Sequence, residues 1–356
     1  MDRALAFDEV DKVKTRGKGW IHSPEFDLSF FILSPALGFA LALVGVQFAP
    51  LLPLVALGGS YFIGVPHYLA SFAFFFGDEN RRYANRYWYL FYAVPVLILA
   101  TVTALYAAGS TAIVHAAMFV WNLYHVATQS SGILSLYRQL SGGGQVERKW
   151  AHRTILFANA AMAFWFLERF PPLWNPLVAV HGGFPDLLRF GCLGAALIFA
   201  VGYVHAIARR GFPLSTAEAA CLVSSLLLFT PYLWVEDSNF ATLTMLIGHF
   251  IQYLAIVWLL NRRKYRPASG SRGQRGLGRI SESRILVALF ILAAGLVFVI
   301  LDRGSQILQI SLAFFVFFNA LAFTHFYLDG LIWAFRNPFI RKTVGPFLTL
   351  EAQRLR

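Results

Sequence analysis

The chain has 356 residues, of which 58% are hydrophobic and 13% charged, with 35 Phe and a mean hydropathy of +0.59; a soluble domain carries about 25% charged residues. A water-soluble enzyme and a disordered chain are excluded. Cys192 and Cys221 both lie in apolar runs, which excludes a disulfide framework and a Cys-based zinc site.

In chain order, residues 1–27 are polar and charged and lack the apolar core of a cleaved signal peptide, so they are predicted as a cytoplasmic N-terminal segment. Ten apolar runs follow, each about long enough to cross the hydrocarbon core as a helix. They cover 28–48, 54–77, 88–108, 111–137, 153–167, 187–208, 215–234, 240–261, 285–301 and 305–335, of which the fifth and ninth are short. Ser141 to Gln145 (SGGGQ) reads as a flexible connector; no strand precedes it and no Lys-Ser/Thr follows, so it is not a phosphate loop. Residues 171–186 (PPLWNPLVAVHGGFPD) read as an apolar outer loop, a lid or re-entrant piece. Residues 262–284 are basic and rich in Gly and Ser, which predicts a mobile cytoplasmic linker before a final hairpin. Residues 336–356 form a cytoplasmic tail. The fold class is therefore all-α, a single polytopic membrane bundle over 28–335.

The formal net charge of +12 would suit nucleic acid, but its placement says otherwise. Lys and Arg cluster at Arg3 to Lys18, Arg81 to Arg86, Arg138 to Arg153, Arg209 and Arg210, Arg262 to Arg284, and Arg336 to Arg356. With alternating spans these segments all fall on one side, and only a few such as Arg169, Arg189 and Arg303 fall on the other. Positive charge marks the cytoplasmic face, so both termini are predicted to be cytoplasmic. The partners implied are membrane lipids, not nucleic acid. Trp20, Tyr87, Trp88, Trp150, Trp234 and Trp333 at span boundaries fit an interfacial belt.

Nine histidines are present, and four share one depth. His67 lies 11 residues before Asp78, His125 13 before Arg138, His249 13 before Arg262 and His325 11 before Arg336, which is roughly 17–20 Å along a helix from the cytoplasmic end of each span and near the bilayer middle. Gln129 follows His125 by four residues, Gln252 follows His249 by three and Asp329 follows His325 by four, placing each polar group one turn away on the same face. Asn122 and Asn319 add polar groups at similar depth. Strongly polar groups in hydrocarbon are costly and face an interior or a cavity. Imidazole is the commonest metal ligand, and polar neighbours orient it through the other ring nitrogen. A lone His in a membrane helix also serves as an interhelical hydrogen-bonding group; four at matched depth favour a shared metal or haem site. His115, His205, His22, His152 and His181 lie elsewhere and read as structural or solvated. Asp329 has three readings: a helix cap or partner of a snorkelling Arg, a carboxylate ligand, or an acceptor behind a ligand. Glu218 reads as interfacial.

Neutral histidines without Cys suit non-haem iron, with copper, zinc and haem as the other groups. Among Phe-rich helices such a site would admit a lipid, isoprenoid or quinone, with O2 as a co-substrate. The candidate set is His67, His125, His249 and His325 for the metal, with Asp329, Gln129 and Gln252 beside it. This arrangement of single central histidines on separate helices resembles the Brp/Blh family of carotene-cleaving membrane dioxygenases, and the resemblance implies a four-His non-haem iron within a bundle. No HxxxH occurs here, whereas that family places two histidines one turn apart. The segments VPHYLASFAFFFGD, WNLYHVATQSSG, GHFIQYLAIVW and THFYLDGLIW are similar to those of bacterial polytopic membrane proteins, which implies the bacterial inner membrane and no particular activity. The eight-His clusters of membrane desaturases are absent. Two other classes stand beside the oxygenase: a haem-binding electron-transfer or haem-modifying protein, and a proton-coupled transporter using central His and Asp.

Overall fold

The structure is a computed structural model, and it describes residues 19–180, 182–209, 213–265 and 270–348. Arg3 to Lys18, His181, Arg210, residues 266–269 of the basic loop and the tail from 349 lie outside the described residues. Every regular element among those described is helical. We name α1 Ser34–Gln47, α2 Ala49–Phe76, α3 Tyr89–Ala107, α4 Thr111–Leu140, α5 Gln145–Phe166, α6 Phe184–Arg209, α7 Thr216–Trp234, α8 Ser238–Lys264, α9 Arg272–Glu282, α10 Arg284–Ile307 and α11 Ser311–Ile332. Seven of the described helices (α2, α3, α6, α7, α8, α10 and α11) are long and apolar enough to cross a membrane; Pro24–Ile32 with α1, bent by 49°, makes an eighth if the pair is one span. The predicted fourth and fifth runs are helical as α4 and α5 but do not join that set. The ninth run, read as short, is extended by Asp302 to Ile307 into the 24-residue α10; an 18-residue stretch of it has a mean hydropathy of 2.9 and is only 11% buried, so its surroundings must be apolar. The chain is an integral membrane protein by this measure.

Proline shapes three of these helices. Pro cannot donate to the carbonyl four residues back, and a wider i→i+5 segment precedes it each time: Leu28–Ile32 before Pro35, Gly58–Gly64 before Pro66 and Tyr89–Ala93 before Pro95. α2 then tightens again, through Ser71–Phe76, into a narrow helix ending at Gly77. His67 thus sits in the one regular turn and a half, Val65–Ala70, between two irregular stretches.

Two predicted loops are ordered. Arg272–Glu282, read as mobile linker, is a helix because Ser271 and Gln274 form a reciprocal capping box, each side chain serving the other's backbone N–H. The outer loop contains a helix at Pro171–Val180. Ser141 to Gln145 is a turn into α5, with Gly142 at φ 79° where a side chain would be strained.

The fold comprises two compact units, Met1–Leu43 with Leu123–His249 and Val44–Asn122 with Phe250–Arg356. Their boundaries fall inside α1, α4 and α8, which are continuous helices. In the first unit α5 and α6 form an antiparallel pair in which Gly202 meets the Trp150 ring; a Cβ there would lie 2.5 Å from it. α1 and α8 approach backbone to backbone, since a Cβ at Gly38 would fall 2.2 Å from the Thr244 carbonyl oxygen and one at Gly248 2.8 Å from Pro35 Cα. Small residues permit such an approach in a membrane helix pair. Arg138 is buried between two carboxylates, 3.8 Å from Glu147 and 3.6 Å from Glu218. Glu218, read as interfacial, is fully buried, because this guanidinium offsets its charge there.

The second unit packs α3 against α11 through Val102, Val316, Ala320 and Phe323, with Val114 and Trp121 of α4 closing the cluster. At the end that carries its basic residues, Lys264 donates to Asn80 (3.1 Å), Asn80 donates to the Tyr265 hydroxyl (3.2 Å) and Asn337 donates to Tyr83 (2.7 Å). Burial pushes the Tyr265 phenol well above its ordinary range, with the carboxylates of Glu79 and Asp78 adding to the shift. Its hydroxyl therefore stays protonated, as both an acceptor and a donor.

Candidate metal centre

α2, α4, α8 and α11 each contribute one histidine. His125 and His249, both in the first unit, lie edge to face with ring centroids 5.0 Å apart. Gly248 positions the second of them: its missing side chain lets α8 close on Pro35 one residue before His249. Gln129 donates to the His249 backbone carbonyl at 3.0 Å, so it ties α4 to α8 at that histidine.

His67 and His325, both in the second unit, are closer still, with centroids 4.3 Å apart and planes at 59°. Phe250 and Tyr253 pack on His67 at 4.5 and 4.7 Å. Gly64 makes room for Phe250; a Cβ there would lie 3.0 Å from the ring. His67, His249 and His325 are wholly buried and His125 is 7% exposed. One ring nitrogen from each of the four falls within 4.8 Å of the others, a buried four-histidine group able to hold a metal ion.

Asp329 lies in the last turn of α11, three residues before its end at Ile332, and is 7% exposed. Its Oδ1 accepts from Ser71 Oγ at 2.8 Å and from the Tyr253 hydroxyl at 2.5 Å, while Oδ2 is 3.7 Å from His325 Nε2. Ser71 Oγ is also 2.7 Å from His325 Nδ1, and Trp333 Nε1 donates to Tyr253 at 3.4 Å. A cavity of about 30 Å³ borders this network, lined by Ser71, Tyr253, Trp333, Asn80, Asn261 and Lys264 among others; that volume is room for about one or two waters. Gln252 is buried one turn beyond His249. Asn319 turns back to the Phe315 carbonyl at 2.8 Å, the ordinary resting place of a polar side chain within its own helix.

Ser71, Tyr253 and Trp333 were not legible as site residues. Each nevertheless lies four residues after a residue that was (His67, His249 and Asp329), and that spacing is the signal that finds them. The remaining described histidines stay outside the group. His152 meets Ser131 Oγ at 2.8 Å, and burial, helped by Arg148 and Arg153, lowers its pKa below the ordinary imidazole value.

The group offers only ring nitrogens and is buried, which suits a divalent transition metal in place of Ca²⁺ or Mg²⁺, whose preferred ligands are oxygens. The chain matches no protein-family model, and no curated protein or solved structure matches it.

Proposed function

We propose that this protein is a metal-dependent membrane oxidoreductase, with non-haem iron held by His67, His125, His249 and His325, that acts with O2 on a hydrophobic lipid or isoprenoid. The observation that carries this reading is the mutual 4.8 Å limit on four buried ring nitrogens. Two ligands opposed across one ion with bonds of about 2.1 Å are about 4.2 Å apart, so the limit suits a single ion. With all four ring nitrogens this close to one another, a porphyrin lying between any opposed pair would overlap the other two, which favours a bare metal over haem. Four ligands leave open positions on an octahedral ion, where oxygen chemistry takes place when the metal is bound. The apolar surroundings favour an apolar substrate, as the resemblance to the Brp/Blh dioxygenases also implies. The proposed location is a bacterial inner membrane with both termini cytoplasmic, supported by the distribution of Lys and Arg.

Metal analysis and an absorption spectrum of the detergent-purified chain test this. About one iron per chain without a Soret band is the expected result, lost in His125→Ala and His249→Ala. A Soret band would transfer the site to haem. A metal-free wild type that takes up neither iron, zinc nor cobalt would overturn the reading.

A further inference from the structure

Within the second unit, α9 lies where two spans end. A Cβ on Gly273 would lie 3.3 Å from the Phe76 ring, so the helix rests against the last residue of α2, and only Ser283 separates it from the start of α10. The first apolar residues of α10 are open to their surroundings: Ile285 is 72% exposed and Leu289 54%. On a spanning helix such side chains face acyl chains. Arg284, one residue before Ile285, therefore stands at the level of the lipid headgroups.

Arg272, Arg275 and Arg279 are all exposed, and at 3.6 residues per turn they fall within about 60° of one another around α9, while Gly278 and Ser281 are buried on the far side. Ser281 donates to the Leu277 carbonyl at 2.8 Å, within its own helix. Arg275 donates to the Gly270 carbonyl at 2.6 Å with one of the five N–H groups a guanidinium offers. Glu282 is the one carboxylate of α9. Helix stability does not account for these arginines. α9 and α10 begin with Arg272 and Arg284 and have no acidic residue in their first turns, whereas the helices that begin at Asp78, Gln145 and Thr216 do. A cation at that end opposes the helix dipole.

We propose that the exposed face of α9 binds the headgroups of anionic phospholipids, with Arg272, Arg275 and Arg279 as the phosphate-binding residues and Arg284 beside them. The planar guanidinium fork matches a phosphate group bidentately, and the three arginines form a row about 10 Å long at the membrane surface. Charge complementarity selects among lipids: a zwitterionic headgroup brings a cation of its own, which the row repels, and an anionic one does not. Nucleic acid also presents phosphates, but the face lies beside the point where the lipid-exposed side chains of α10 begin, and there the phosphates at hand are those of the bilayer. Nothing in this proposal depends on the metal centre.

Native mass spectrometry of the full chain in detergent, titrated with phosphatidylglycerol or phosphatidylcholine of the same acyl chains, counts the lipid bound. An arginine near an anionic surface is worth about fivefold in binding, so the wild type should hold phosphatidylglycerol at least about tenfold more tightly than phosphatidylcholine. The triple variant Arg272→Gln, Arg275→Gln, Arg279→Gln should lose most of that preference. Arg81→Gln, Arg82→Gln, Arg86→Gln, which removes the same charge from another helix, should keep it. Equal affinity of the wild type for the two lipids would overturn the proposal even if the α9 variant failed to fold. A folded α9 variant with an unchanged preference, or an equal loss in both triple variants, would also overturn it. So would displacement of phosphatidylglycerol by inorganic phosphate or by a short duplex oligonucleotide at equal concentration, since the face would then take phosphate or nucleic acid in place of lipid.

Discussion

Replacing Gly248 by Ala would test how a close helix approach sets the metal centre. The added Cβ would fall 2.8 Å from Pro35 Cα, a backbone atom that cannot rotate away. Carbon atoms sit comfortably at about 3.5–4.0 Å, so α8 and α1 must separate by roughly 0.7–1.2 Å at this level. His249 is the next residue on α8 and moves with it. Metal–ligand distances tolerate only about 0.2 Å, several times less than the imposed shift. We expect Gly248→Ala to fold, to lose about 1–3 kcal/mol through overpacking, and to bind Co²⁺ or Fe²⁺ at least about tenfold more weakly, the lower end of the loss seen when a ligand loses its support. Gly194→Ala on α6 is the control: nothing lies within 4 Å of its Cβ, and Ala is the better helix former by about 1 kcal/mol. The assays are thermal unfolding in detergent and metal titration of both variants. A Gly248→Ala protein with wild-type stability and wild-type affinity would refute the reasoning.

Three other outcomes follow from the same coordinates. Arg138→Ala leaves Glu147 and Glu218 facing each other without their cation, and breaking such a buried set costs about 3–5 kcal/mol; the measured loss should exceed that of Glu218→Gln, and the reverse order would show that the guanidinium is not what holds this turn. His152 has its pKa lowered by burial, so the unfolded chain binds its proton first as pH falls. Its contribution to stability is therefore complete above pH of about 6.5, the unfolded value, and lost below it; unfolding temperatures at pH 7.5 and 5 should differ less in His152→Gln than in the wild type. Cys221 is 1% exposed whereas Cys192 is half-buried, so a maleimide should reach Cys192 first and Cys221 only on denaturation, as mass spectrometry of the labelled chain would show.

Composition and periodicity determined much of this protein. A run such as 285–301 has no polar group to place, so it can only be a helix in an apolar solvent, and counting residues from each predicted span boundary put four histidines at matched positions. Both inferences use distances along a single helix, which the 1.5 Å rise makes reliable. Rotation about the helix axis and the approach of one helix to another are different quantities, and they depend on contacts far apart in sequence. Asp329 shows this: spacing alone left it a cap, a ligand or an acceptor, and its hydrogen bond with Ser71, more than 250 residues away, came only with the fold. The burial of Glu218 beside Arg138 likewise came only with the fold. Gly248 read as one glycine among 28, and its role is visible only because Pro35 comes so near. The basic loop misread as mobile failed for a local reason, since the Ser271–Gln274 capping box was already written in its residues. Position along each helix was a property of the sequence; the hydrogen-bond partners and close approaches were decided by the tertiary structure, because each is a distance between atoms that the chain connects only through long stretches of helix.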